Sequence, residues 1–269
     1  MSPPATIGHL CRDVVADGAP RIGGGPWYAG RALRALGVRA RIGAKCGTAE
    51  RRAFALEVAS LGLPATVTGR GQTTAFSFRY DAHGTRTMQV DAIGDPWHPD
   101  EAVAAAADAR WVHVAPLLAG DFPEETLDAL ARDDRRILLD GQGLVRVPRL
   151  GPLELEPGFD PALLRHVRVL KLAEDEADAL GLDLDEAGLA GLGVPEVVVT
   201  LGGRGALVLA HGRLTHVAAL RIDSLVDPTG AGDAFAAGYL AARSTGHAAV
   251  GAARRATALV AAMLSRDGR

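Results

Sequence analysis

Asp227-Pro228-Thr229-Gly230-Ala231-Gly232-Asp233 is the stretch of this 269-residue chain on which both fold and chemistry turn. It runs into Ala234-Phe235-Ala236-Ala237-Gly238-Tyr239-Leu240-Ala241-Ala242, a charge-free run that reads as a buried helix. Gly230, Ala231 and Gly232 therefore stand where a loop becomes a helix N-terminus. Amide N–H groups there lack carbonyl partners and lie at the positive end of the helix dipole, so the turn can receive an anion. Glycine lets the backbone take unusual dihedrals and come close to a ligand. Asp233 is the odd member, because a carboxylate repels a phosphate bound beside it. One good reason to place it there is to take a proton from a hydroxyl that attacks that phosphate. Proline before a helix and aspartate in its first turn are also ordinary start signals, so packing alone would explain part of the pattern.

Working outward, short β-branched or apolar runs alternate with Ala/Leu-rich helical stretches. Ala5–Leu10, Arg39–Ile42, Trp111–Ala115, Ile137–Asp140, Val167–Leu172, Val197–Thr200 and Ala206–Ala210 read as strands. Ala29, Ala32, Leu33 and Leu36 follow helical spacing, with Arg31 and Arg34 opposite. Such alternation predicts an α/β fold, a doubly wound and mostly parallel sheet with helices on both faces. Ligands of such sheets bind beyond the carboxyl ends of the strands, where the motifs singled out here fall. One segment breaks the rhythm. Thr73–Tyr80 and Thr85–Val90 alternate with a period of two around Asp81-Ala82-His83-Gly84, which predicts a hairpin, a flap or extra sheet edge near residues 73–90. With no internal repeat and no linker, residues 1–269 read as a single domain.

Composition narrows the class. Apolar residues make up 48% of the chain and aromatics only 4%, so Ala, Leu and Val must fill the core. The formal net charge is −3 and no basic block occurs, which leaves no electrostatic footprint for nucleic acid. Met1–Val15 holds no apolar core of signal-peptide length, and no run approaches a membrane span. Two cysteines, Cys11 and Cys46, fit a reducing compartment better than a disulfide scaffold. The expectation is a cytoplasmic protein, monomer or homodimer, that binds a small molecule.

The remaining motifs each admit a bland reading. Asp13 follows the first strand and is either a solvated loop carboxylate or an acceptor of polyol hydroxyls. Gly23-Gly24 is a plain turn or a weak hydroxyl site. Val197–Ala206 carries a strand into the turn Leu201-Gly202-Gly203-Arg204-Gly205, and no P-loop pattern occurs anywhere. Leu170-Lys171-Leu172-Ala173-Glu174-Asp175-Glu176 opens a helix with acids, which the dipole alone would favour. Asp140-Gly141-Gln142 follows another strand and presents Gln142 either to a site or to an ordinary loop. The eight histidines show no metal-ligand spacing.

Taken together, the Asp227–Asp233 stretch with Phe235 beyond it, and Thr200-x-Gly202-x-x-Gly205, resemble the ribokinase-like (PfkB) family of carbohydrate kinases. The resemblance runs from Asp13 to the end of the chain. It implies an ATP-dependent kinase that phosphorylates a hydroxyl of a sugar or polyol, with Asp233 as base and Gly230, Ala231 and Gly232 as anion hole. It further implies substrate binding by Asp13, Gly23, Gly24 and Gln142. Thr200, Gly202 and Gly205 would line the nucleotide, with Arg204 and Lys171 toward its phosphates and Glu176 toward Mg2+. Many relatives depend on a monovalent cation, which makes K+ a further candidate. Gly8-x-x-Cys11-x-Asp13-Val14, Gln142-x-Leu144-Val145-Arg146-Val147 and Leu170-Lys171-x-x-x-Asp175-Glu176-Ala177 are similar to plant-type myo-inositol kinases. The chain departs from the family at Tyr28 and Ala173, where asparagine is usual. Only nine residues separate Asp13 from Gly23, which implies a reduced lid made mostly of the Thr73–Val90 hairpin, with less exclusion of water. Two rivals follow: a nucleotide- or metabolite-binding regulator with a weakened site, and a dinucleotide-dependent oxidoreductase. The oxidoreductase wants a Gly-x-Gly-x-x-Gly turn after the first strand, where this chain has Gly8-His9-Leu10.

Overall fold

A computed structural model describes residues 2–15, 18–80, 86–222 and 228–266. The chain opens with strands β1 (Ala5–His9), β2 (Cys11–Val15) and β3 (Arg21–Gly23), then helix α1 (Gly25–Ala35). β4 (Arg41–Cys46), α2 (Arg51–Ala59) and β5 (Ala65–Gly69) follow, and then the hairpin strands β6 (Thr74–Tyr80) and β7 (Arg86–Ala92). The middle of the chain forms α3 (Pro99–Ala106), β8 (Trp111–Ala115), α4 (Glu124–Ala131), β9 (Arg136–Asp140), α5 (Gln142–Val145) and β10 (Gly151–Pro152). The last third carries β11 (Val167–Ala173), α6 (Glu174–Ala179), α7 (Glu186–Ala190) and β12 (Glu196–Thr200). It ends in β13 (Ala206–Ala210), β14 (Arg213–Val217), α8 (Ala231–Ser244) and α9 (Ala249–Arg266).

Nine strands form one sheet in the order β14-β13-β12-β11-β9-β8-β1-β4-β5. The pairs from β12 to β5 are all parallel, and β13 alone runs against the rest, pairing antiparallel with β12 and β14. The chain builds outward from β1 first toward β5 and then, through β8, toward β12. Strand order therefore reverses between β1 and β8, and a crevice opens at their carboxyl ends. Helices on both faces bury the sheet: Ile7, Val112, Leu139 and Leu170 pack with Ala102, Leu127 and Ala177 on one side. Leu138, Val169 and Val198 pack with Phe235, Leu240 and Ala253 of the two C-terminal helices on the other. The charge-free run Ala234–Ala242 is buried throughout, as its composition predicts. Among the described residues no helix is long and apolar enough to cross a membrane.

The predicted β4 needs correction. It runs over Arg41–Cys46 rather than Arg39–Ile42, because Gly43 and Lys45, poor strand formers, are carried by parallel pairing with both β1 and β5. Lys45 is tolerated there because its ammonium meets Glu101 at 2.7 Å and the Pro96 carbonyl at 2.8 Å. In α1, Ala29, Ala32 and Leu33 are buried as spaced, whereas Leu36 lies past the helix end and is 43% exposed.

A second correction concerns the lid. The hairpin forms as β6 and β7, with its turn outside the described residues, but it supplies only two strands of five. The second sheet has the order β10-β7-β6-β2-β3, so the short segment between β1 and α1 is itself part of it. Asp13 therefore sits on a strand rather than in a loop. After a break at Leu10 the chain stays extended and β2 pairs with β6, a contact that only the distant hairpin can supply.

At its far end α8 is locked to the sheet by buried Glu196, which accepts from the Tyr239 hydroxyl at 2.8 Å and from Arg243 Nε at 3.0 Å. Removing one partner of such a cluster strands the other charges. Glu196→Ala is expected to destabilise the fold by about 3–5 kcal/mol. Thermal denaturation should then show a midpoint lowered by roughly 10 °C.

Candidate active site

Helix α8 starts with Gly230 as its N-cap, in the left-handed region at φ 80° and without a side-chain cap. Glycine is required twice over. Its dihedral disfavours L side chains, and a methyl group there would lie 2.3 Å from the Tyr28 ring. The Ala231 amide donates to the Pro228 carbonyl at 3.0 Å. The amides of Gly232 and Asp233, early in the helix, have no carbonyl four residues back within it. Of the three residues expected to form an anion hole, Gly232 is thus the one best placed to offer its N–H.

Asp233 follows, half-buried, with Oδ1 fully enclosed and lacking a hydrogen-bond partner among the described residues. It lies against the start of α1, where a methyl group on Gly25 would come within 3.0 Å of Oδ1. Burial pushes its pKa up to about 7, and the charge of Asp140 adds to the rise; Lys171 and Arg146 pull the other way. Such a carboxylate changes protonation near neutrality, the range in which a general base works best.

Lys171, at the end of β11, is buried with Nζ 3.3 Å from both oxygens of Asp140 at the end of β9. Burial lowers its pKa, but the charges of Asp140, Glu176 and Asp233 outweigh this and keep it above the usual lysine value. Its ammonium also reaches the anion turn, since a methyl group on Gly232 would sit 3.0 Å from Nζ. Glu176 is buried beside it and accepts from the Ala173 amide at 2.8 Å, a helix-capping contact.

Two cavities meet at this point. One, of about 220 Å³, is lined by Asp13, Gly24, Gln142, Arg146 and Asp233, with Phe76, Phe78 and Met88 of the second sheet as its roof. The other, of about 730 Å³, is lined by Thr200, Gly202, Gly203 and Gly205 and by Leu220, Ile222, Phe235, Val260 and Leu264. Lys171, Ala173, Asp175, Pro228 and Gly232 border both. Asp233 lines the smaller alone.

The expected residues separate accordingly. Asp233, Gly230, Gly232, Asp13, Gly24, Gln142, Lys171 and Glu176 gather around the smaller cavity, and Ala231, Thr200, Gly202 and Gly205 line the larger. Gly23 lines neither; it supports Asp13. Arg204 also lies outside both linings and makes an exposed ion pair with Glu174. Sequence reasoning missed Asp140 and Arg146, although Asp140 ends a predicted strand and both stand within the motif that gave Gln142. It also missed the apolar roof, which the period-two hairpin pattern could have marked as a buried face.

A model of the pfkB family of carbohydrate kinases matches residues 65–269. The chain belongs to this family. Among curated relatives, inositol 3-kinase of Zea mays is 32% identical over 179 residues, 65% of this chain and 44% of the maize protein. Inositol 3-kinase of Oryza sativa subsp. japonica is 28% identical over 284 aligned positions, 97% of this chain and 68% of that protein. The chain thus spans from under half to about two thirds of the length of these relatives. A solved pyrophosphate-dependent kinase in the ribokinase family, complexed with a pyrophosphate analog and myo-inositol, superposes with a TM-score of 0.83 at 24% identity. That alignment covers 97% of this chain and 94% of the other. The chain therefore has the ribokinase-family fold.

The raised Asp233 pKa carries a sign for stability. The folded chain holds this proton up to about pH 7, whereas the unfolded chain releases it near pH 3.8. Folding then binds an extra proton between those values, so this carboxylate's contribution to stability is lost as pH rises through 7. Asp233→Asn should melt higher than the unaltered protein at pH 8, and the advantage should shrink on acidification to pH 5.

Proposed function

We propose that this chain transfers the γ-phosphate of ATP to a hydroxyl of a single-ring polyol or sugar, an inositol being the acceptor the site fits best. One observation carries the reading: the enclosed, unpartnered Oδ1 of Asp233 lies beside a junction where two cavities share Lys171 and Gly232. The smaller cavity takes the acceptor. Its volume of about 220 Å³ falls below the ~300–1,000 Å³ of drug-sized sites, which supports one ring rather than a nucleoside. Asp13, Gln142 and Arg146 supply polar contacts to a polyol, and the aromatic roof covers its C–H face. The larger cavity takes the donor. Its apolar wall of Leu220, Ile222, Phe235, Val260 and Leu264 supports a nucleobase, which pyrophosphate would leave without a ligand.

In the proposed reaction Asp233 takes the acceptor's proton as that oxygen attacks the γ-phosphorus. The bond to the β–γ bridging oxygen breaks and ADP departs. The Gly232 amide and the Lys171 ammonium face the region where negative charge develops, the division of labour expected of phosphoryl transfer. Lys171 thereby supplies charge where Ala173 lacks the amide that relatives carry. Magnesium bound with a nucleotide takes most of its ligands from phosphates and water. This suits a site with no cluster of three metal-ligating side chains among the described residues. Asp175 at the rim and Glu176 below it would hold that ion, which offsets phosphate charge when bound.

The test is a phosphotransfer screen of inositols, hexoses, keto-deoxy sugar acids and nucleosides with ATP–Mg2+ or pyrophosphate, with and without K+. ATP with a cyclic polyol should give turnover, and kcat/KM should rise with pH through a limb near 7. Asp233→Asn should lose roughly a hundredfold or more while still binding nucleotide. Nucleotide binding without transfer to any acceptor would favour the regulator instead. Turnover with pyrophosphate alone would overturn the donor.

A further inference from the structure

Cys11 has no role in the chemistry above, yet its side chain lines the acceptor cavity. It stands two residues before Asp13 on β2, so both side chains leave the same face of the strand. Its thiol donates to Asp13 Oδ1 at 3.1 Å, and both residues are buried. The third member is Gly23, which lies directly opposite Cys11 in the antiparallel β2–β3 pair. A methyl group there would come within 2.2 Å of Asp13 Oδ2 and 2.9 Å of Cys11 Sγ. The missing side chain leaves a niche that the carboxylate and the thiol fill together.

We propose that Cys11 is a positioning residue for acceptor binding: its thiol fixes the Asp13 carboxylate in the one orientation that meets the ring hydroxyls. The proposal rests on the reading of Asp13 as an acceptor ligand. A carboxylate free to rotate must lose that freedom on binding, and a group already held loses none. A carboxylate offers about four acceptor positions, and the thiol takes up only one of them. The donor is constant. Burial first, then the charge of Asp13, hold the thiol well above its ordinary pKa, so it keeps its proton across working pH. The adjacent Tyr28 phenol is raised by burial and by the Asp13 charge, and it too stays neutral.

The test compares Cys11→Ala, Cys11→Val and Cys11→Ser with Asp13→Ala and the Cys11→Ala/Asp13→Ala double variant, using ATP–Mg2+ and myo-inositol. Loss of the donor in Cys11→Ala and Cys11→Val should raise KM for myo-inositol about five- to tenfold, the scale of one hydrogen bond. Neither kcat nor KM for ATP should change more than about twofold, a split that general loosening of the fold would not give. Cys11→Ser retains a donor and should return KM close to that of the unaltered kinase. The double variant should be no worse than Asp13→Ala, because the thiol acts only through the carboxylate. Asp13→Ala with an unchanged KM would overturn the assignment of Asp13 itself. If Asp13→Ala raises KM while both donorless Cys11 variants behave normally, the positioning role fails alone. It fails equally if the two substitutions add in full, or if kcat and both KM values worsen together.

Discussion

A carboxylate with one oxygen sealed from water and without a hydrogen-bond donor among the described residues is the constraint around which this site is built. Asp233 is put there by its place in the first turn of α8, and α8 cannot retreat. Its apolar face is buried against the sheet, α1 and α9, and its far end is tied to Glu196. The sheet then brings Asp140 and Lys171 to the same point from the ends of adjacent strands. Asp140 raises the proton affinity of Asp233 while Lys171 lowers it, and the balance falls near neutrality. A carboxylate poised in this way is made by packing and neighbours together.

The lysine ties the two halves of the site. It pairs with Asp140 beside the smaller cavity and reaches Gly232 at the border of the larger one. Acids outnumber bases in this region: Asp13, Asp140, Asp175, Glu176 and Asp233 face Lys171 and Arg146. Such an excess of acid disfavours a bare anion and favours one that brings a cation with it.

Legibility in the sequence followed the range of the interactions. The Asp227–Asp233 turn, the Thr200–Gly205 turn and most strands of the large sheet are local patterns, and they were readable as such. Asp227 lies outside the described residues, so the loop is seen only from Pro228 onward. The strand at Arg41–Cys46 was misplaced because Lys45 becomes a core residue only through Glu101, more than fifty positions away. Asp13 read as a loop residue for the same reason: β2 exists because β6 pairs with it. Arg204 looked free for a phosphate, but Glu174, thirty residues earlier, occupies it. Arg146 and the roof of Phe76, Phe78 and Met88 reach the site only through tertiary packing.

The most direct measurement is the protonation of Asp233 in the free protein. Difference infrared or carboxyl 13C NMR titration against Asp233→Asn would read this one group. The account expects a midpoint about 7, displaced downward when Asp140 is replaced by asparagine. A midpoint near 4, the ordinary aspartate range, would mean that the carboxylate is well solvated and that the enclosed geometry described for it is wrong.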